Sequence, residues 1–128
     1  MFHQDLQMKL TRLALCLVTV ATTAAANPLA AQSLPPQDFA FLKGVEKSID
    51  PALAVSDQQK LEAGRSVCQQ LGTGVTLGQL IAQDSQSVEQ QPLIQQQPIL
   101  RYYRAVQEYA IRNYCPEFSK QWRSWRNG

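Results

Sequence analysis

Ser56-Asp57-Gln58-Gln59-Lys60-Leu61-Glu62-Ala63-Gly64-Arg65-Ser66-Val67-Cys68-Gln69-Gln70-Leu71 is the stretch that decides the fold class. It opens with Ser three residues ahead of Gln, a spacing at which each side chain satisfies a free backbone N–H at a helix start. Leu61, Gly64, Cys68 and Leu71 then recur at spacings of three and four, which places them on one helical face with Cys68 inside it. Gly72 and Gly74 supply the stop.

Downstream, Thr76 to Gln79 repeats the cap pattern, and Leu77, Leu80 and Ile81 predict a short third helix. The glutamine-rich stretch from Gln83 to Gln97, with Ser85, Ser87 and Pro92 inside it, reads as a loop or loosely helical connector. Pro92 and Pro98 interrupt the glutamines and argue against an aggregation module. Pro98 suits the first turn of the longest helix, expected from Ile99 to about Tyr114. On its wheel Ile99, Tyr103, Val106, Ala110 and Tyr114 fall on one side, and Arg101, Arg104, Glu108 and Arg112 on the other. Cys115 lies nearer the charged side, but Pro116 disfavours helical geometry at the residue before it, so the helix should end or distort at Tyr114.

Upstream, Phe39, Phe41, Leu42, Val45 and Ile49 form an apolar-periodic segment that Pro51 should end. At the other end Phe118, Trp122 and Trp125 recur at spacings of four and three between Lys120, Arg123 and Arg126, the pattern of a short amphipathic helix. No segment alternates as a strand would, and no internal repeat is visible. The expected fold is all-α, a small bundle of about four short helices tied by one disulfide after a cleaved signal peptide.

That signal peptide is read from Lys9 and Arg12 ahead of the apolar run Leu13 to Ala26, followed by small residues, the layout of a secretory leader. The run is shorter than the ~20 residues of a membrane-spanning helix, so a cleaved leader is expected rather than a retained anchor. Cleavage fits after Ala26 or after Ala31, and Met8 is as good a start as Met1. Cys16 does not suit lipid modification, because Leu15 precedes it where a small residue is needed. The organisation is therefore 1–31 leader, 32–116 helical domain and 117–128 aromatic and basic tail, with the protein secreted or periplasmic.

Processing removes Cys16 and leaves Cys68 and Cys115, 47 residues apart in an oxidising compartment, and an even pair there reads as one disulfide. There is no C-x-x-C, and the sole histidine is His3, inside the leader, so nothing activates a thiol and two cysteines cannot make a zinc site. No metal and no cofactor are expected.

The whole chain has 128 residues with 12 basic and 10 acidic side chains, net +2, too balanced for nonspecific nucleic-acid binding. Hydrophobic residues at 45% and charged residues at 17% exclude wholesale disorder and a polytopic membrane protein. The charge is nevertheless uneven. From Gln32 to Ile99 there are 4 basic and 7 acidic residues, net −3, and from Leu100 onward 6 basic and 2 acidic, net +4. Such polarity serves an anionic partner or simply faces water.

Around the cysteines the wording of the sequence becomes more specific. Phe41-Leu42, then Ala63-Gly64-Arg65-Ser66-Val67-Cys68-Gln69-Gln70-Leu71, Gly74-Val75-Thr76 and finally Ala110-Ile111-Arg112-Asn113-Tyr114-Cys115-Pro116 resemble the family called domain of unknown function 732. These are small secreted proteins best represented in mycobacteria and other actinobacteria. They share a G-x-x-V-C-x-x-L helix, a Gly-x-Ser/Thr turn and a terminal A-x-x-x-Y-C-P. The resemblance covers Phe39 to Pro116 and implies an all-helical exported domain with Cys68 and Cys115 bridged. It implies no activity, since the family has none assigned. The glutamine-rich connector and the tail beyond Cys115-Pro116 depart from the family pattern.

Candidate contacts with a partner or surface are Trp122, Trp125, Lys120, Arg123 and Arg126, because indoles beside cations suit a protein partner or a lipid headgroup region. The alternative is that the tail folds back over the domain with Phe118. Tyr102, Tyr103, Tyr109 and Tyr114 read as core packing, and Glu108 as an ion-pair partner of Arg104 or Arg112. No nucleophile–base pair, phosphate-cradling loop or metal cluster is present in the sequence. The expected function is that of a noncatalytic exported binding or envelope-associated module, partnered by a protein or an envelope component. Peripheral binding to anionic envelope surfaces is the alternative, and a small secreted enzyme the remoter one.

Overall fold

A computed structural model describes residues 33–128, so the leader, its cleavage sites, Met8 and Cys16 lie outside the described residues. Five α-helices follow in order: α1 (Pro36–Ser48), α2 (Asp57–Gly72), α3 (Leu77–Glu89), α4 (Leu93–Asn113) and α5 (Ser119–Asn127), with a 3-10 turn at Pro116–Phe118 before the last. Among the described residues there is no strand. Among the described residues the fold is all-α, as expected, with the C-terminal tail forming the fifth helix.

Local chemistry accounts for most boundaries. Pro36 starts α1 where its missing N–H costs nothing, and the chain turns extended at Ile49, ahead of Pro51. In α2 the Ser56 hydroxyl accepts from the Gln59 N–H while the Gln59 side chain accepts from the Ser56 N–H. Thr76 and Gln79 do the same for α3. Between these helices Gly74 takes φ +101, a left-handed conformation suited to glycine, and Val75 N–H reaches back to the Gln70 carbonyl.

Of the two readings of the glutamine-rich stretch, loop or loosely helical connector, the helical one holds over most of its length. It is not a loop: α3 runs through to Glu89, the Ser85 and Ser87 hydroxyls donate back to the carbonyls of Ile81 and Gln83, and Val88 is buried. After a break at Gln90–Pro92, α4 starts at Leu93 rather than Ile99 and carries Pro98 inside it. Pro92 just before the first turn provides the start that the sequence reading gave to Pro98. Pro98 costs one backbone hydrogen bond, to the Ile94 carbonyl, and Leu93 and Ile94 remain 83% and 86% exposed.

With 21 residues, α4 is the central element and packs against α1, α2, α3 and α5. Neighbours on several sides widen its buried face to Tyr102, Ala105, Val106, Gln107, Ala110 and Ile111. Tyr103 and Tyr114, placed on the apolar side of the wheel, are half-buried, and so are Arg104 and Glu108 from the charged side. Phe39 leaves the core altogether, its ring at the surface under Lys43. The core centres on Phe41, Val45, Ala110 and Ile111. Two glycines permit its close approaches: a Cβ on Gly44 would lie 2.2 Å from the Tyr109 ring, and one on Gly64 would lie 2.6 Å from the Phe41 ring.

Cys68 and Cys115 form the disulfide, with Cα atoms 5.8 Å apart. The helix ends at Asn113, and Cys115 adopts φ −142, ψ 64. The chain therefore leaves the helical wheel before the cysteine, which lets Cys115 turn inward to the buried bridge.

Candidate functional site: the C-terminal cationic helix

The tail is part of the bundle. After Cys115 the 3-10 turn redirects the chain, and α5 packs across α3 and α4. Trp122 is 8% exposed and Trp125 half-buried, their ring centroids 5.4 Å apart at 36°. The Arg104 guanidinium lies 4.3 Å from the Trp125 ring centroid, a cation–π contact. Glu108 pairs with Arg112 at 2.9 Å, one of the two partners the sequence offers it. The Gln121 side-chain oxygen accepts from Leu77 N–H at 3.5 Å, at the first turn of α3, where backbone donors lack helical partners.

With the indoles turned toward the bundle, α5 shows Lys120, Arg123 and Arg126 to solvent. At 100° per residue these three cations occupy an arc of about 120°. From Ser119 to Gly128 every charged side chain is positive, and none of the three forms an ion pair among the described residues. Lys120 and Arg123 line a shallow depression with Ser124, Asn127 and Gly128. Of the five candidate contact residues, the structure thus keeps Lys120, Arg123 and Arg126 available and commits Trp122 to the core, with Trp125 capped by Arg104.

A groove of 490 Å³ is lined by Gln97, Arg101, Arg104, Glu108 and Trp122. The Trp122 indole N–H is buried without a hydrogen-bond partner.

Two buried polar clusters escaped the sequence reading. Asp38, in α1, is buried and accepts both the Tyr114 hydroxyl and, at 3.0 Å, the Arg65 guanidinium. Burial and the neighbouring Asp38 carboxylate raise the Tyr114 phenol well above the ordinary tyrosine range, against a smaller opposing effect of Arg65. Asp84 of α3 accepts from the Gln107 side-chain amide of α4. Burial pushes the Asp84 carboxyl up to about 6, with the Arg104 charge and the Gln107 hydrogen bond holding it down. The partners in these clusters are 76 and 23 residues apart, and no local pattern marks them.

Among the described residues no group of three or more His, Cys, Asp or Glu side chains is placed to hold a metal ion, and no helix is long and apolar enough to cross a membrane. No family model matches the chain, and no curated protein or solved structure gives a match.

Proposed function

We propose that the chain is a noncatalytic, exported helical module that docks on an anionic component of the cell envelope through the cationic face of α5. The observation that carries this reading is the division of that helix: Trp122 and Trp125 fix it to the bundle, while Lys120, Arg123 and Arg126 face outward with no acidic partner. A rigidly held helix presents its charges at lower entropic cost than a free tail does, so several weak attractions add. The leader sequence and the bridged cysteine pair support an oxidising destination, secreted or periplasmic. The same cysteine motifs support kinship with domain of unknown function 732. The noncatalytic reading rests on the composition: beyond the leader there is no histidine, and neither Cys68 nor Cys115 is a free thiol.

Co-sedimentation with vesicles tests the docking face. Vesicles rich in phosphatidylglycerol should pull the protein down at low salt and release it at high salt, whereas phosphatidylcholine vesicles should not bind it. The triple substitution Lys120→Gln, Arg123→Gln, Arg126→Gln should abolish sedimentation while leaving the melting temperature unchanged. Equal sedimentation of parent and triple variant would defeat the proposal.

A further inference from the structure

Asp84 and Gln107 meet across the contact between α3 and α4, and their meeting leaves one polar atom unserved. Gln107 is 2% exposed and its Nε2 donates to Asp84, yet its Oε1 is buried with no hydrogen-bond partner. Solvent does not reach that oxygen, so a partner has to come from the side chains already packed beside it. Turning the amide over moves the deficit without removing it. The oxygen would then face an ionised carboxylate, and the Nε2 donors would lie buried without an acceptor.

A proton on Asp84 removes the deficit. Carboxyl and amide groups are both planar, each with two polar atoms on one carbon, so a neutral acid can accept the amide N–H on one oxygen and donate its own O–H to the amide oxygen. An ionised carboxylate only accepts, and sets one acceptor against another. The surroundings favour the neutral form. Asp84 is half-buried, and the polar side chains that line the same crevice, Ser66 and Gln70 of α2 and Gln83 of α3, carry no charge. Tyr103 of α4 is the other titratable group in that lining, and the cations of α5, Lys120, Arg123 and Arg126, are exposed. Burial raises the proton affinity of Asp84 and outweighs the opposing charge of Arg104 on α4, so the carboxyl gives up its proton at about 6.

We propose that this pair is a proton-operated joint between α3 and α4, in which the neutral Asp84 donates a second hydrogen bond to the buried Gln107 oxygen and the ionised Asp84 leaves a single one. Its place in the helix gives the joint leverage. Leu80, Asp84 and Val88 recur every four residues on one face of α3, and Leu80 and Val88 are buried, so the carboxyl stands in the middle of the stripe that holds the helix down. The folded chain binds this proton more tightly than an unfolded chain does, so the second bond is present below about 6 and lost as the pH rises through it. Acidification tightens α3 on α4, and neutral pH loosens it.

The test is a pH titration of the ¹³C,¹⁵N-labelled, disulfide-intact protein by NMR. Asp84 Cγ should titrate at about 6, and Gln107 Cδ and its side-chain nitrogen should move with the same midpoint, because the amide gains and loses its second bond with that proton. Asp84→Asn puts a permanent donor in place of the acid, so the Gln107 signals should stay fixed across the titration. In hydrogen exchange corrected for intrinsic rates, the α3 amides around Asp84 should be protected about five- to tenfold less in the parent than in Asp84→Asn at about pH 7.5, and equally at about pH 4.5. A midpoint for Asp84 at about 4 would overturn the proposal. So would a Gln107 amide that ignores a titration of Asp84 at about 6, since burial alone would then move the carboxyl. Equal protection of parent and variant at about pH 7.5 would show that the second bond does not hold α3, and the joint would fall with it.

Discussion

Gly64→Ala should destabilise the domain although it replaces a helical glycine by the best helix former. The added Cβ would stand 2.6 Å from Cζ and 2.8 Å from Cε2 of Phe41, a ring with no solvent exposure. Carbon atoms rest at about 3.5–4.0 Å, so the ring has to retreat by about 1 Å. Its other neighbours resist. Tyr114 packs against Phe41 with centroids 5.3 Å apart, and the Tyr114 hydroxyl is held by Asp38, which is held in turn by Arg65, the residue after Gly64. Overpacking of this kind costs about 1–3 kcal/mol. The helical preference of alanine returns about 1 kcal/mol. At the middle of that range the net loss is about 1 kcal/mol, and at about 4–8 °C per kcal/mol for a domain of this size the Tm should fall by roughly 4–8 °C. Thermal melts followed by circular dichroism at the helix band measure this directly. Gly72→Ala, in the same helix with nothing within 4 Å of its added Cβ, is the control and should not lower the Tm. Adding Phe41→Leu to Gly64→Ala should cost less than the two single losses together, because the smaller side chain relieves the clash. A Gly64→Ala protein that melts at or above the parent, as the Gly72 control does, would refute the packing described for α1, α2 and α4.

Three further outcomes follow from named contacts. Cys68→Ala with Cys115→Ala removes a 47-residue closure and should cost about 4 kcal/mol, lowering the Tm by roughly 15–30 °C, with the reduced parent protein behaving alike; a change of only a few degrees would show that the bridge contributes little. Asp84 has its folded pKa raised from 3.8 to about 6, so the folded state binds the proton more tightly than the unfolded one. Its contribution is fully present below about pH 4 and is lost as the pH rises toward about 6, and Asp84→Asn should flatten that part of the Tm–pH profile; an unaltered profile would contradict the burial of the carboxyl. Pro98→Ala restores the N–H that can reach the Ile94 carbonyl and should stabilise α4 by about 1–2 kcal/mol, seen as slower amide exchange after Pro98 and a higher urea midpoint, whereas a lower midpoint would show that the proline ring contributes packing.

Legibility divided along the range of the forces involved. Helix starts were readable because a capping box is a contact over three residues, and both Ser56-Gln59 and Thr76-Gln79 form as the spacing predicts. The end of α4 was readable for the same reason, since Pro116 acts on the backbone beside it and frees Cys115 from the wheel. For Gln83–Glu89 the sequence leaves loop and helix open because a run of polar residues carries little apolar periodicity, and its helix is secured by one buried side chain, Val88, and two serine hydroxyls that bond back to the preceding turn. Pro98 misled for a related reason: a proline near a helix start resembles a start, and Pro92 already provided one. For the tail, the sequence left open whether the tryptophans face in or out. What turns them in is the surface of α3 and α4, including the Arg104 guanidinium, and that surface exists only once the bundle has formed. The Asp38–Tyr114 and Asp84–Gln107 contacts were illegible because their partners are joined by the fold alone.

The proposed export accounts for the oxidised cysteine pair and underlies the proposed envelope partner, and the intact mass of the protein recovered from expressing bacteria tests it most directly. Mass spectrometry before and after reduction and thiol alkylation should show a chain beginning at Asn27 or Gln32, with no thiol alkylated until reduction and Cys68 and Cys115 both alkylated after it. An unprocessed chain, a lipid-weighted mass, or two thiols alkylated without reduction would contradict export to an oxidising compartment and the envelope role built on it.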